Sequence, residues 1–184
     1  MRIVSGKFKG KTFTPKNFNA RPTTDFAKEG LFNILLNYFD FEEIEVLDLF
    51  AGTGSISFEF ASRGTNRIDL VELNFNHLKF ISVVIRELGL KQIHTIKGNA
   101  FQYIKACCYK YDIIFADPPF ELDGIDTIPD LIFDKDILKP EGWLILEHSG
   151  NYKFETHPLF YQERHYGSVH FSIFQRKAEE KESE

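Results

Sequence analysis

The sequence has few cysteines and no long apolar run. Its 184 residues include only two cysteines, Cys107 and Cys108, which are adjacent and therefore badly placed to bridge each other. No apolar stretch approaches the roughly 20 residues that a membrane-spanning helix needs, and we see no signal peptide. We therefore expect a cytoplasmic protein without disulfides and without a membrane segment.

Acidic residues are missing from the first 24 positions. Six basic residues lie there: Arg2, Lys7, Lys9, Lys11, Lys16 and Arg21. Because the whole chain carries −5 and this segment +6, residues 25–184 carry −11. A basic extension on an acidic body is typical of a protein that binds phosphate groups at one edge. The alternative is a lysine-rich hairpin that is merely soluble. The acidic tail, residues 177–184, is expected to be disordered.

From residue 44 onward, apolar segments alternate with helical patterns. Strands are predicted over 46–50, 67–72, 92–97, 111–116 and 142–147, and helices over 55–63, 75–88, 100–108 and 125–138. A turn is expected at 139–142, before the fifth strand. An earlier helix is predicted over 25–39, and strands over 159–166 and 168–176 would form a closing hairpin. This order predicts one α/β domain, residues 1–184, whose N-terminal extension is a short hairpin around Lys9-Gly10-Lys11.

A rigid loop, Asp117-Pro118-Pro119-Phe120, follows the predicted strand 111–116. Proline has a fixed φ and no N–H, so this loop holds a carboxylate, a carbonyl and a ring at the carboxyl end of a strand. An exocyclic amino group of a nucleobase fits all three. Asp117 and the Pro118 carbonyl would each accept one N–H, which frees the nitrogen lone pair, while Phe120 stacks on the base. The alternative is a structural proline turn with Phe120 in the core.

A glycine turn follows the first predicted strand. Gly52 and Gly54 permit a tight turn and close approach to a ligand. The third glycine of a dinucleotide-binding motif is replaced by Ser57, and Asp48 would repel a pyrophosphate. These features favour a cationic ligand over NAD; a purely structural turn is the alternative.

Polar residues at the ends of the next two strands extend this site. Glu72 is placed to accept two ribose hydroxyls, and Asn99 with Ala100 is placed to read the edge of an adenine. S-adenosylmethionine has a sulfonium, an ammonium, one ribose and no phosphate, so it fits the set best.

The chain resembles the RsmD family in three segments taken together. They are residues 21–25 (Arg-Pro-Thr-Thr-Asp), 47–54 and 117–120. The bacterial enzymes of this family methylate the N2 of one guanine in 16S ribosomal RNA. The likeness covers nearly the whole chain; the first segment is specific to the family, whereas the other two indicate only the chemistry. It implies a Rossmann-like class I methyltransferase fold, with a seven-stranded, mostly parallel sheet, a C-terminal antiparallel hairpin and helices on both faces.

The resemblance also implies the site residues. The expected cofactor contacts are Asp48, Phe50, Gly52, Gly54, Glu72, Leu73, Asn99, Ala100 and Asp117. The expected catalytic residues are Asp117, Pro118, Pro119 and Phe120. The expected RNA contacts are Lys7, Lys9, Lys11, Arg21, Thr23 and Thr24. Two positions depart from the family pattern: Asn99 stands where Asp is usual, and Phe26 where Arg is usual, although Lys28 supplies the next basic residue.

The expected partner is 16S rRNA or the small ribosomal subunit, bound by a monomer. The nearest alternative is methylation of adenine N6 in DNA or RNA, which uses the same loop chemistry but needs a target-recognition insertion that is not evident. A non-catalytic RNA-binding or ribosome-assembly module is an alternative of another class. Cytosine C5 methylation would need a cysteine after the fourth strand, and Cys107 and Cys108 precede it.

No metal is predicted, because the six histidines show no ligand spacing with cysteines or acids. Glu147 and His148 end the fifth strand and are expected in the core or at the rim of the cleft rather than in catalysis.

Overall fold

Seven strands form one sheet in the computed structural model, which describes residues 1–15 and 24–176. They are β1 (Glu45–Leu49), β2 (Arg67–Glu72), β3 (Ile93–Lys97), β4 (Tyr111–Ala116), β5 (Leu138–His148), β6 (Phe160–Tyr166) and β7 (Val169–Phe174). The order is β3-β2-β1-β4-β5-β7-β6. Strands β1 to β5 are parallel, whereas β7 runs antiparallel to both β5 and β6. The predicted fold class is confirmed.

Both faces of the central strands are buried, as their continuous apolar sequence predicts. Alternate residues of β4 enter different cores: Ile113 and Phe115 join one, and Ile114 and Ala116 join the other. Side chains of successive strand residues point to opposite faces, so a short apolar run can serve two cores at once.

Helices cover both faces. Helices α1 (Asp25–Leu35), α2 (Ser55–Ser62) and α3 (Phe75–Leu88) supply the first core, and α4 (Ala100–Ala106) and α5 (Ile128–Asp134) supply the second. A short 3-10 helix, Ile125–Thr127, precedes α5. Within the described residues, none of these helices combines the length and apolar character needed to span a membrane.

Capping residues fix the helix ends where the sequence places them. The Thr24 hydroxyl accepts from the Ala27 amide at 3.2 Å, and the Asn74 side chain accepts from the Asn76 amide at 2.9 Å. Gly89 ends α3 in the left-handed region with φ 66°.

Three predicted boundaries are wrong. Helix α1 ends at Leu35 rather than near 39, and Tyr38 beyond it packs against Trp143 with ring centroids 4.6 Å apart. Helix α5 ends at Asp134. The predicted turn at 139–142 belongs to β5, where the register against β4 shifts and Glu141 has φ 63°. This irregularity lets the strand continue through a turn-like sequence.

The N-terminal arm, residues 1–13, forms a bent loop rather than a regular hairpin, with one isolated bridge between Arg2 and Thr12. Ile3 donates its amide to the Lys11 carbonyl at 3.0 Å. The arm lies on α2, where Gly6 approaches so closely that a Cβ there would meet the Ser62 carbonyl oxygen at 2.0 Å. Arg21, Thr23 and the acidic tail lie outside the described residues.

Candidate active site

A cavity of about 700 Å³ opens at the carboxyl ends of β1, β2, β4 and β5. The sheet order reverses between β1 and β4, and this is where open α/β sheets bind ligands. Of the eighteen residues predicted for the site, sixteen are described, and twelve of these line the cavity: Thr24, Asp48, Phe50, Gly52, Glu72, Leu73, Asn99, Ala100, Asp117, Pro118, Pro119 and Phe120. Apart from Gly54, the residues predicted for cofactor binding and for catalysis therefore share one cavity.

The loop after β4 presents the groups that its sequence indicates. Asp117 donates its amide to the Leu49 carbonyl at 3.4 Å, which ties the start of the loop to the end of β1. Pro118 is buried, whereas the Phe120 ring is 57% exposed and lines the cavity. The alternative that Phe120 belongs to the core is therefore wrong.

Glu72 is held rigidly at the end of β2. Its carboxylate accepts the Gly52 amide at 2.7 Å and the Asn74 amide at 2.6 Å, and His77 Nδ1 lies 3.3 Å away. Each carboxylate oxygen has more than one acceptor site, so Glu72 can still accept hydroxyl groups from a ligand. The same carboxylate thereby positions both the glycine turn and the start of α3.

The two glycines of the turn have different roles. Gly52 lines the cavity, while Gly54 does not. At Gly54, φ is +75° and an added Cβ would lie 2.9 Å from the Phe58 ring. Gly54 thus serves the turn and the packing of α2 rather than a surface open to the ligand. Phe50 also has a positive φ, 60°, an unusual conformation for a bulky residue that lines the cavity.

Asp48 is buried in the floor of the cavity, where it accepts a hydrogen bond from one hydroxyl group. The Ser57 hydroxyl donates to Asp48 Oδ2 at 2.6 Å, so the residue that replaces the third motif glycine supports the acid. Burial raises the pKa of Asp48 to about 7. The hydrogen bonds from Ser57 act in the opposite direction and lower this pKa, while the negative charge of Glu72 raises it further. A cation in the cavity would favour the ionised form.

Another acid, Glu147 at the end of β5, also lines the cavity and is 4% exposed. Burial, followed by the charges of Glu147 and Asp48, raises the pKa of Asp117 well above its usual range. Glu147 was expected in the core or at the rim of the cleft, and its place agrees with this: it is buried and faces the same cavity as Asp117.

Asn99 has a structural task as well. Its side chain caps α4, accepting the Gln102 amide at 3.1 Å, while Ala100 is 4% exposed beside it. The amide of Asn99 serves the cap as an Asp carboxylate would, so the departure from the family pattern leaves this turn intact.

The basic residues of the N-terminal region separate into two groups. Lys7, Lys9 and Lys11 are exposed and lie outside the cavity wall. Lys28 is instead 1% exposed: its ammonium donates to the Arg2 carbonyl and, at 3.1 Å, to the Ser55 hydroxyl. Burial lowers the pKa of Lys28, against the attraction of Glu59.

Glu59 is the acceptor that fixes the N-terminal arm. It is fully buried and accepts the amides of Val4 and Ser5 at 2.9 and 3.0 Å and the Arg63 guanidinium at 2.9 Å. Lys28 lies 3.8 Å away. This network could not be predicted from the sequence, because α1, α2 and the arm meet only in the folded chain.

The charges in the cavity limit what it can bind. Five acids line it (Asp48, Glu72, Asp117, Glu121 and Glu147), and none of the described residues in its wall is a lysine or an arginine. A phosphate-bearing ligand finds no cationic partner among these residues, whereas a ligand with positive charge finds several anionic ones. The exposed Phe120 adds a surface on which a planar ring can stack.

Comparison with known proteins agrees with this geometry. The family model described as Conserved hypothetical protein 95 matches residues 1–175. Ribosomal RNA small subunit methyltransferase D from Buchnera aphidicola subsp. Baizongia pistaciae is 28% identical over 179 residues, 95% of this chain and 91% of that protein. Its namesake from Haemophilus influenzae is 31% identical over 153 residues, 80% of this chain and 78% of that protein. The chain belongs to the RsmD family.

Solved structures extend the likeness of this RsmD family member to its fold. The Escherichia coli protein yhhF, described as a candidate methyltransferase, superposes with a TM-score of 0.85 at 25% identity and covers 97% of this chain and 99% of that one. Another candidate methyltransferase, crystallised with SAH (S-adenosylhomocysteine), has a TM-score of 0.65 at 16% identity. It covers 79% of this chain and 48% of that one and shows the fold alone.

Proposed function

We propose that this RsmD family member is an S-adenosylmethionine-dependent methyltransferase of ribosomal RNA, and that it methylates the exocyclic N2 of a guanine in 16S rRNA. The observation that carries the proposal is the shared cavity: Asp117 and Phe120 line it together with Asp48, Gly52 and Glu72. The names of the relatives support rRNA of the small subunit as the substrate. The choice of guanine N2 is our inference from the family resemblance and the loop chemistry.

The polar and apolar groups that line the cavity fit S-adenosylmethionine. S-adenosylmethionine supplies a methyl group on a positively charged sulfur. Glu72 is placed to accept the ribose hydroxyls, since backbone amides already fix its carboxylate at 2.6 and 2.7 Å. Asp48 faces the cationic end, and the positive charge there stabilises its carboxylate form. Ala100 and the exposed Leu73 offer apolar surface to the adenine.

Asp117 and its loop act on the target base. The Asp117 carboxylate and the Pro118 carbonyl accept the two N–H groups of the amine, and this directs the nitrogen lone pair toward the methyl group. After transfer, one proton leaves the nitrogen for the Asp117 carboxylate, whose raised pKa makes it a better base than an ordinary aspartate. Stacking on Phe120, worth about 1–3 kcal/mol per base, offsets part of the cost of extruding the nucleotide.

Binding of the RNA backbone is assigned to the N-terminal arm. Lys7, Lys9 and Lys11 are exposed there, and the arm is anchored on α2 by hydrogen bonds to Glu59 and Ser62. Their distance from the acid-lined cavity keeps the phosphates of the RNA away from Asp48 and Asp117. This separation of charge accounts for a basic arm on an acidic body.

The test is Asp117→Ala, with Asp123→Ala in the same loop region as the matched control, because Asp123 is exposed and lies outside the cavity wall. Methyl transfer from labelled cofactor to 16S rRNA should fall at least about 100-fold in the Asp117 variant, whereas cofactor affinity should stay within a few-fold. The control should keep full activity. Retained transfer by Asp117→Ala would overturn the assignment.

Nucleoside analysis of the labelled product separates the candidate reactions. N2-methylguanosine is expected, whereas N6-methyladenosine in RNA or DNA would identify the alternative substrate. Absence of both, together with failure to bind labelled cofactor, would favour the non-catalytic assembly module.

A further inference from the structure

Three histidines form a row across the C-terminal hairpin. His148 of β5 pairs directly with His170 of β7, and His170 pairs directly with His165 of β6. Directly paired residues point to the same face of a sheet, so the three imidazoles lie side by side. The ring centroids of His148 and His170 are 5.7 Å apart, and those of His165 and His170 are 5.3 Å apart.

A carboxylate completes the cluster in the next row of the same face. Glu163 precedes His165 by two residues on β6 and pairs with Ser172 of β7. Its Oε1 lies 2.8 Å from His170 Nδ1 and 4.0 Å from His165 Nδ1. One ligand atom from each of Glu163, His165 and His170 can therefore be chosen so that all three lie within 4.8 Å of one another.

Neighbouring groups hold the cluster in place from below. Ser172 Oγ lies 3.4 Å from Glu163 Oε2, so the other carboxylate oxygen, Oε1, is the one that faces the histidines. The buried His148 shares a hydrogen bond of 2.7 Å with Ser172 and one of 2.8 Å with the Ser149 carbonyl. Such outer contacts orient the ligating groups in protein metal sites.

The spacing suits a tetrahedral ion with imidazole and carboxylate ligands. Zinc bonds of about 2.0–2.2 Å place neighbouring ligand atoms about 3.3 Å apart. The observed separations of 2.8 and 4.0 Å lie on either side of this value. The His165 side chain is 70% exposed, so it can adjust its position toward an ion, and its exposure leaves a fourth position open to water.

We propose that Glu163, His165 and His170 bind one zinc ion on the outer hairpin, a site separate from the methyltransferase cavity. The proposal runs against the expectation of no metal, since the ligand geometry comes from strand pairing rather than from sequence spacing. The ion would join β6 to β7, whose connecting turn places Ser168 and Val169 in the cavity wall. Zinc would thereby stiffen one wall of the substrate cleft.

Zinc binding to the full chain, freed of any affinity tag and kept reduced without a chelating thiol, tests the proposal. Native mass spectrometry should find one zinc per chain, and competition with a chromophoric chelator should give its affinity. His165→Ala should weaken binding at least about tenfold. The matched control is His94→Ala, because His94 is also exposed (54% of its side chain) and lies 3.0 Å from a carboxylate oxygen, that of Asp69.

Thermal unfolding supplies a second readout. A hundredfold excess of zinc over its dissociation constant should raise the Tm of the wild type and of His94→Ala by roughly 5–10 °C. The same zinc concentration should raise the Tm of His165→Ala and Glu163→Gln by about half as much or less, because a tenfold loss of affinity leaves only a tenfold excess over the dissociation constant. No bound zinc in the wild type, or the same affinity in wild type and His165→Ala, would overturn the proposal.

Discussion

Asp48→Asn should make the ligand-free protein more stable at neutral and alkaline pH while it impairs cofactor binding. Asp48 is 1% exposed and accepts a hydrogen bond from Ser57, which an asparagine oxygen can also accept. The substitution keeps the shape of the side chain and removes only its negative charge. The variant therefore measures the free-energy cost of keeping a negative charge in the floor of the cavity.

The size of the effect follows from the pKa of Asp48. Burial raises it from 3.8 to about 7, so the folded state binds more protons than the unfolded state between these two values. Stability contributed by this group is therefore lost as pH rises from 3.8 to 7. At about 1.4 kcal/mol per pKa unit, the difference corresponds to roughly 4 kcal/mol. Asp48→Asn removes this dependence.

The assay is thermal unfolding of wild type, Asp48→Asn and the exposed-site control Asp123→Asn between pH 4 and pH 8. At pH 4 the wild type and Asp48→Asn should have similar Tm values. By pH 8 the Tm of Asp48→Asn should be roughly 8–16 °C higher than that of the wild type. The control should follow the wild type throughout. Parallel curves for wild type and Asp48→Asn over the whole range would refute the reasoning, since Asp48 would then ionise as an ordinary surface aspartate.

Two further predictions concern the N-terminal arm. Glu59→Ala removes a fully buried carboxylate that binds two amides of the arm, the Arg63 guanidinium and the Lys28 ammonium. The free energy of unfolding, measured in urea, should therefore fall by about 3–5 kcal/mol. A loss below about 1 kcal/mol would contradict the buried network. Replacing Lys7, Lys9 and Lys11 together by alanine should lower the salt dependence of RNA binding, measured as the slope of log K against log salt, by about 2, from ~0.7 for each phosphate contact. An unchanged slope would mean that these exposed lysines do not contact RNA.

The positions of the strands along the chain could be predicted because they depend on short-range patterns. The apolar run Ile113–Ala116 serves two cores, and Asn74 and Gly89 mark both ends of one helix. Boundaries failed where a tertiary contact replaced the local signal, as at Tyr38, which leaves the predicted helix to pack on Trp143.

The site could be predicted for a different reason. Residues at the carboxyl ends of neighbouring parallel strands meet at one edge of the sheet whatever the loops between them do. Asp117 and Glu72 were found in this way. Glu59 with Lys28 escaped prediction, as did the histidine row, because their partners lie on helices or hairpins whose register no linear spacing reveals.

Three of the five acids in the cavity wall connect stability with the proposed chemistry. Asp48, Asp117 and Glu147 are gathered where burial and mutual repulsion raise the pKa values of Asp48 and Asp117. Such an arrangement destabilises the ligand-free fold at neutral pH, so packing alone would not favour it. A cation bound among them relieves the repulsion and favours the ionised form of Asp48, whose pKa is about 7 in its absence, so affinity for a cationic cofactor should rise as pH increases through 7. The same positive charge favours the ionised form of Asp117, the residue that we propose as the acceptor of the amine hydrogens, whose pKa burial and the neighbouring acids raise.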